Sequence, residues 1–160
     1  MQINYRNLIT DIIVGIIKEE KLLNSSKGIV WEIIADVDKD PNYWYGIRQT
    51  RNTRVNGNTI ERETIISFRH SKCQEVINLE PLNTVSTRII NGPIIGTKLI
   101  KLQEISEHQC LLEVIWDVKA RGIAGLFNFI IKKHISSGTR RAIERIANEA
   151  EQRFSKLNKS

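Results

Sequence analysis

Cysteine is scarce in this sequence: Cys73 and Cys110 are the only two among 160 residues. They do not form a CxxC pair, and no histidine stands at ligand spacing from either of them. A disulfide framework or a structural zinc site requires more cysteines or such a spacing. We therefore expect two free structural thiols, no metal and no other cofactor.

Long hydrophobic runs are missing as well. The longest apolar stretch near the N-terminus covers residues 12–17, whereas a membrane-spanning helix requires about 20 such residues. This stretch lacks the preceding basic region and the following small-residue cleavage site that mark a secretory signal. We therefore expect a cytoplasmic protein.

No internal repeat and no Ser-, Gly- or Pro-rich linker divides the chain, which contains only three prolines. Its 41% hydrophobic and 26% charged residues are ordinary for a globular protein. A chain of 160 residues is also long enough to bury a substantial core. We predict one domain over residues 1–160, with flexibility confined to residues 1–10 and 156–160.

The first third of the chain predicts one strand and one or two short helices. Residues 12–17 are rich in β-branched side chains, which favours a strand, although the pattern does not exclude a helix. Ser25 and Ser26 can cap a helix over residues 27–35, where apolar residues recur at intervals of three and four. Pro41 ends this region, and residues 42–45 are expected to add a helical turn.

Residues 47–119 show the pattern of short strands separated by turns. Asn56 and Gly57 stand between two extended runs, which is typical of a tight hairpin. The predicted strands cover residues 47–56, 59–69, 72–79, 84–91, 97–105 and 110–119, and their short connections imply antiparallel neighbours. Alternation assigns these residues to the buried face: Ile60, Thr64, Ile66, Phe68, Leu112, Val114, Trp116 and Val118.

A long amphipathic helix is predicted at about residues 123–157. At 1.5 Å per residue it is about 50 Å long, which exceeds a strand, so we expect it to lie diagonally on the sheet and to project at one end. Its apolar stripe comprises Phe127, Ile131, His134, Ile135, Gly138, Ala142, Ile146, Ala150, Phe154 and Leu157.

The net charge of +6 belongs to the C-terminal quarter, because residues 121–160 contain nine basic and three acidic residues. Such a group of basic residues is more commonly a helix face that is exposed to solvent. Docking on nucleic acid, an anionic membrane or an acidic partner is the alternative. The basic residues that lie largely off the apolar stripe include Lys132, Lys133, Arg140, Arg141, Arg145 and Arg153.

Four stretches resemble motifs of the START-like superfamily, which includes birch-pollen-allergen relatives, polyketide cyclases and coenzyme-Q-binding proteins. They are an opening with Trp31 and Trp44 at residues 29–44, a Gly92-Pro93 turn at residues 91–97, the strand at residues 110–116, and the helix at residues 143–151. The resemblance covers nearly all of the chain after residue 11. It implies an α+β helix-grip fold, in which a curved seven-stranded antiparallel sheet surrounds a long C-terminal helix and one or two short helices follow the first strand.

The resemblance also implies a cavity between the sheet and the long helix that holds a lipid, an isoprenoid or a polycyclic aromatic molecule. Trp44 would stand near the mouth of this cavity, and an inward-pointing Arg62 could anchor a polar head group. For each tryptophan and for His134, a purely structural place in the core is the alternative. The candidate ligand-binding residues are Trp44, Arg62, Ile66, Phe68, Val114, Trp116, Phe127, Ile131, His134 and Gly138.

We expect a binder or carrier of a small hydrophobic molecule, because the sequence has no Ser-His-Asp order, phosphate-binding glycine loop or metal-ligand spacing. One alternative is an enzyme of the cyclase or dehydratase type, with His134 or Arg62 as its polar group. Another is an interaction module that docks on RNA, the ribosome or a membrane through the basic helix face. The sequence leaves the ligand, the catalytic residues and the oligomeric state open.

Overall fold

The computed structural model describes residues 12–122 and 128–159, the first two of them by their backbone only. Within these residues, seven strands form one antiparallel sheet in the order β1-β7-β6-β5-β4-β3-β2. The strands are β1 Ile12–Leu23, β2 Ile47–Asn56, β3 Thr59–Ile66, β4 Lys72–Glu80, β5 Thr84–Asn91, β6 Ile94–Ser106 and β7 Gln109–Ala120. This arrangement confirms the predicted meander and adds the pairing of its last strand with β1.

The helices also follow the predicted order: α1 Lys27–Ala35, α2 Asp40–Tyr43 and α3 Asn128–Leu157. The Ser26 hydroxyl caps α1 by accepting from the Ile29 N–H at 3.4 Å. Pro41 lies in the first turn of α2, where a missing N–H costs no helical hydrogen bond. Within the described residues, no helix combines the length and the hydrophobicity that crossing a membrane requires.

Strand β3 is shorter than predicted. It ends at Ile66 because the Ser67 N–H donates to the Gly46 carbonyl and Phe68–His70 forms a 3-10 turn in which Arg69 has a φ of +53°. Phe68 is therefore 39% exposed, and its predicted place on the buried face is wrong. The alternation of side chains in the sequence continues beyond the residue at which the backbone leaves the sheet.

Helix α3 packs through its middle. Its buried residues lie between Thr139 and Ala150, whereas Phe129 and Leu157 near its two ends are mostly exposed. It contacts β1, β7, α1 and α2. The predicted C-terminal end is confirmed, but residues 123–127, where the predicted helix begins, lie outside the described residues, as do residues 1–10.

The buried side chains form a large core and a small satellite cluster. The large core brings α1, α3 and the middle of the sheet together, and the satellite comprises Val14, Ile17, Val118 and Ala120. Cys73 is buried with a free thiol, and burial raises the pKa of this thiol to about 11. The thiol is therefore protonated at neutral pH and behaves as a small apolar group.

Gly96 allows β6 and β7 to approach closely. It pairs with Val118 and has a φ of +132°, in the region that favours glycine. A Cβ at this position would overlap the Asp117 carbonyl oxygen and lie 2.8 Å from the Val118 Cα. Because both obstacles are backbone atoms, they cannot rotate away.

We expect Gly96→Ala to lower the free energy of unfolding by about 1–3 kcal/mol, because the new side chain adds both a clash and backbone strain. The matched control is Gly138→Ala in the middle of α3, where an added Cβ meets nothing within 4 Å. That change should raise stability by about 0.5–1 kcal/mol through helix propensity. Urea unfolding measures both, and equal effects of the two substitutions would contradict this account of Gly96.

Candidate ligand-binding site

The inner side of the sheet carries an interior charge cluster, which comprises Asp40 from α2, Arg62 from β3, Glu75 from β4 and Lys98 from β6. All four residues are at most 8% exposed. Charged groups leave water only at a high cost unless they are paired or hydrogen-bonded. The pairing within this cluster therefore determines what its members can do.

Arg62 is fully engaged by the protein. Its Nη2 donates to Asp40 Oδ2 at 2.6 Å, its Nε donates to Glu75 Oε2 at 2.8 Å, and its Nη1 donates to the Val37 carbonyl at 2.8 Å. Burial lowers the pKa of the Arg62 guanidinium, but the two carboxylates raise it by more, so the group stays charged. Arg62 does point inward, and it ties α2 to β3 and β4.

Lys98 lacks such partners. Its ammonium lies 4.2 Å from the ring centre of Trp44 and 5.4 Å from that of Trp116. It makes no hydrogen bond to any residue that the structure describes. Burial, aided by the nearby Arg62 charge, lowers the pKa of Lys98, whereas Asp40 and Glu75 oppose this shift.

Trp44 and Trp116 meet edge to face at 6.2 Å. A hydrogen bond holds the Trp116 ring in place: its Nε1 donates to the Thr139 hydroxyl at 3.0 Å, and this hydroxyl donates to the Ile135 carbonyl at 2.7 Å. The backbone of Trp44 is held at the end of α2, where its backbone N–H donates to the Asp40 carbonyl at 2.8 Å. The rings thus form an aromatic wall around the Lys98 ammonium, which is favourable for a cation.

Three of the candidate residues from the sequence come together at this wall: Trp44, Arg62 and Trp116. Val114 is buried in the same core, and Ile66 is half-buried at the end of β3. Ile131 packs instead against the satellite cluster. Phe127 lies outside the described residues.

The predicted inward positions of His134 and Gly138 are wrong, because both residues are exposed. The inward row of α3 runs through Ile131, Ile135 and Thr139, and successive residues of a helix differ by about 100° in direction. His134 and Gly138 each precede a member of this row by one residue. The predicted apolar stripe includes Gly138 and omits Thr139. The structure instead buries Thr139, whose hydroxyl accepts from Trp116 Nε1 and donates to the Ile135 carbonyl.

Lys98, Glu75, Asp40 and Thr139 were not among the candidates from the sequence. Strand alternation carried a signal for two of them. Lys98 has the same parity as the buried Ile100, and Glu75 has the same parity as the buried Ile77. Their charge, which is typical of exposed residues, concealed this pattern.

Two of the open grooves that the described residues form lie on the outer surface. One of about 510 Å³ lies between α2 and α3 and is lined by residues such as Tyr43, Tyr45 and Arg145, and another of about 450 Å³ follows the end of α3. Lys98 lines neither of these grooves, in keeping with its 4% exposure. The expected cavity under α3 stays a prediction.

Among the described residues, no three His, Cys, Asp or Glu side chains lie close enough together to hold a metal ion.

Solved structures share this fold. The Zhui aromatase/cyclase from a Streptomyces species has a TM-score of 0.76 at 12% identity, over 86% of this chain and 94% of its own. A START superfamily protein from Mycobacterium smegmatis has a TM-score of 0.66 at 12% identity, over 89% and 99%. The di-domain ARO/CYC StfQ from the steffimycin biosynthetic pathway has a TM-score of 0.69 at 11% identity, over 88% and 52%.

No family model matches the chain, and no curated protein matches its sequence. At 11–12% identity, the structural likeness shows the fold alone. The fold is the START-like helix grip that the sequence resemblance implied, with the sheet, the short helices and the long C-terminal helix in the expected order.

We expect Arg62→Met to lower the free energy of unfolding by about 3–5 kcal/mol, because it leaves the Asp40 and Glu75 carboxylates buried without their partner. The matched control is Arg51→Met on the neighbouring strand. Arg51 pairs with Glu63 at the surface, where an ion pair contributes less than about 1 kcal/mol. Chemical denaturation measures both variants, and a small effect at Arg62 would show that the buried pairs are replaceable.

We expect Lys98→Met to raise the free energy of unfolding by about 1–3 kcal/mol at neutral pH, because the lowered pKa shows that the cost of burying the ammonium without a hydrogen-bond acceptor exceeds its attraction to Asp40 and Glu75. The pKa of Lys98 is lowered by folding from 10.5. At a pH below the folded pKa, Lys98 is protonated in both the folded and the unfolded protein, and folding bears the full cost of burying its charge. As the pH rises towards 10.5, the folded protein loses this proton first, and the cost declines.

The advantage of Lys98→Met should therefore shrink between the folded pKa of Lys98 and pH 10.5. The measurement is the difference in the free energy of unfolding between the variant and the wild type at each pH in this range. Titratable groups that both proteins contain contribute equally to the two values and cancel in the difference. A variant that is less stable than the wild type at neutral pH would show that the ammonium stabilises the fold.

Proposed function

We propose that the protein binds a small hydrophobic molecule between the sheet and α3 and that Lys98 donates a hydrogen bond to an oxygen of this molecule. The observation that carries the proposal is Lys98, which is 4% exposed, faces two indole rings with its ammonium and has no hydrogen-bond acceptor among the described residues. The ligand oxygen would supply the missing acceptor.

The energetic argument rests on the cost of an unsatisfied polar group. A buried donor without a partner costs about 1–3 kcal/mol, and more when it is charged. Cation–π contacts of about 1–2 kcal/mol recover only part of this cost. Since Asp40 and Glu75 already accept from Arg62, Lys98 is the one described cation of the cluster that a ligand oxygen can reach without breaking an ion pair.

The apolar part of the ligand would pack on the aromatic wall. Trp44 and Trp116 offer flat surfaces that suit an aromatic ring, an isoprenoid chain or another extended apolar group. Two of the solved structures with this fold are named as aromatase/cyclases, which supports an aromatic or ring-forming ligand. Burial of about 300 Å² of ligand surface gives about 7 kcal/mol before association entropy is subtracted, so micromolar affinity is expected.

The basic face of α3 supports the alternative of an interaction module less well. Arg145 donates to the Tyr43 carbonyl at 2.7 Å and covers the Tyr45 ring, and Arg153 pairs with Glu149. Arg145 therefore ties α3 to the end of α2, and Arg153 is paired within α3 itself, so both side chains have a role in the fold. The interior site is the stronger candidate.

Two fluorescent probes that differ by one anionic group test the proposal: anilinonaphthalene sulfonate and the neutral phenylnaphthylamine. We expect each to bind the wild type at one saturable site with micromolar affinity. Lys98→Met should weaken the sulfonate probe by about 10- to 100-fold, the value of a hydrogen bond to a charged group. The neutral probe should bind this variant at least as well as the wild type.

The control variants separate the interior from the surface. Lys101→Met, on the outer face of the same strand, and Arg140→Glu with Arg141→Glu on α3 should leave the affinity for both probes within about twofold. Failure of both probes to bind the folded wild type, or equal sulfonate affinity in the wild type and Lys98→Met, would refute the proposed site.

A further inference from the structure

We propose that Lys98 binds its ligand covalently: its ε-amino nitrogen condenses with an aldehyde or ketone group of the hydrophobic ligand to form an imine. This inference rests on the proposed function, because it requires the ligand to occupy the same site. It goes further by naming the reactive group of the ligand and a chemical step.

The surroundings of Lys98 are those of a nucleophilic amine. Of the lysines that the structure describes, only Lys98 is buried. A lysine attacks a carbonyl as the neutral amine, and burial favours that form by lowering the pKa of Lys98. The amine is also not committed to a carboxylate, in contrast to Lys18, whose pKa is raised by its hydrogen bond to Glu113.

The condensation balances without any further reactant. The nitrogen lone pair attacks the carbonyl carbon and opens its π bond, which gives a carbinolamine. The two amine hydrogens then leave with the carbonyl oxygen as water, and a carbon–nitrogen double bond forms. No electron is gained or lost overall, so the step requires neither an oxidant nor a reductant.

The charge cluster also suits the product. A protonated imine carries the same positive charge as the ammonium that it replaces, and the rings of Trp44 and Trp116 would face it in the same way. The charged groups that act on Lys98 are Asp40, Glu75 and Arg62. Since Arg62 offsets one of the two carboxylates, the other balances the charge at Lys98, and the cluster stays neutral when the imine is protonated.

The test uses naphthaldehyde as the probe and naphthylmethanol, which has the same ring but no carbonyl group, as the matched competitor. The folded full chain is incubated with the aldehyde and sodium cyanoborohydride at neutral pH, and peptide mass spectrometry locates the reduced adduct. We expect Lys98 to be labelled faster than Lys101, which is exposed on the same strand, because burial lowers the pKa of Lys98 and binding of the naphthyl group would place the aldehyde beside its amine.

Naphthylmethanol should protect Lys98 but not Lys101. Lys98→Arg, which keeps the charge, and Lys98→Met, which keeps the apolar stem and removes the amine, should each lose only the rapid labelling; circular dichroism checks that both fold. Lys101→Arg should keep the rapid phase at Lys98.

The outcomes separate the two proposals. If naphthylmethanol binds the wild type, as measured by displacement of phenylnaphthylamine, but Lys98 is labelled no faster than Lys101, the imine proposal is overturned and the proposed binding site survives. If neither naphthalene compound binds and Lys98 is not labelled, the binding site itself fails. Rapid labelling that persists elsewhere in the Lys98 variants would also overturn the imine.

Discussion

The burial of the Arg62 guanidinium is the constraint on which the interior depends. A guanidinium inside a protein requires carboxylates at short range. Here the carboxylates are Asp40 of α2 and Glu75 of β4, so Arg62 links two elements that are distant in the sequence. The same side chain binds the Val37 carbonyl just before α2. Arg62 therefore fixes the connection after α1 against the sheet, and Trp44, at the end of that connection, is placed over Lys98 as a consequence.

The two interior cations, Arg62 and Lys98, have different surroundings, and this difference suggests a function for Lys98. Arg62 has three short hydrogen bonds, whereas Lys98 has only aromatic faces and distant charges. A core selected only for stability would place an apolar side chain at position 98, since a buried charge without an acceptor weakens the fold. Groups that lower stability are expected where a protein has chemistry or binding to perform.

The sequence predicts most of the fold and about half of the interior site, and the failures have physical causes. Strand alternation and the Ser26 cap locate the elements, because these signals depend on neighbouring residues alone. Lys98 and Glu75 are missed since their inward parity conflicts with the usual exposure of charged residues; only the pairing of distant strands resolves the conflict. Gly138 is predicted in the apolar stripe, whereas the structure exposes it and buries its neighbour Thr139. The ligand-binding roles of all the candidates are still predictions.

The packing of α3 indicates where a ligand would enter. The backbone just before Trp44 is held by two arginines. Arg62 of β3 binds Asp40, and Arg145 of α3 binds the Tyr43 carbonyl. The described part of α3 before Thr139 has no fully buried residue, and local opening is easiest where few apolar contacts are lost. Thr139 stands at the boundary between this part and the packed half of α3, and it holds the Trp116 ring. Thr139 therefore couples the Trp116 ring, which faces Lys98, to the packed half of α3, and opening of the helix before Thr139 would be the least costly route to this ring.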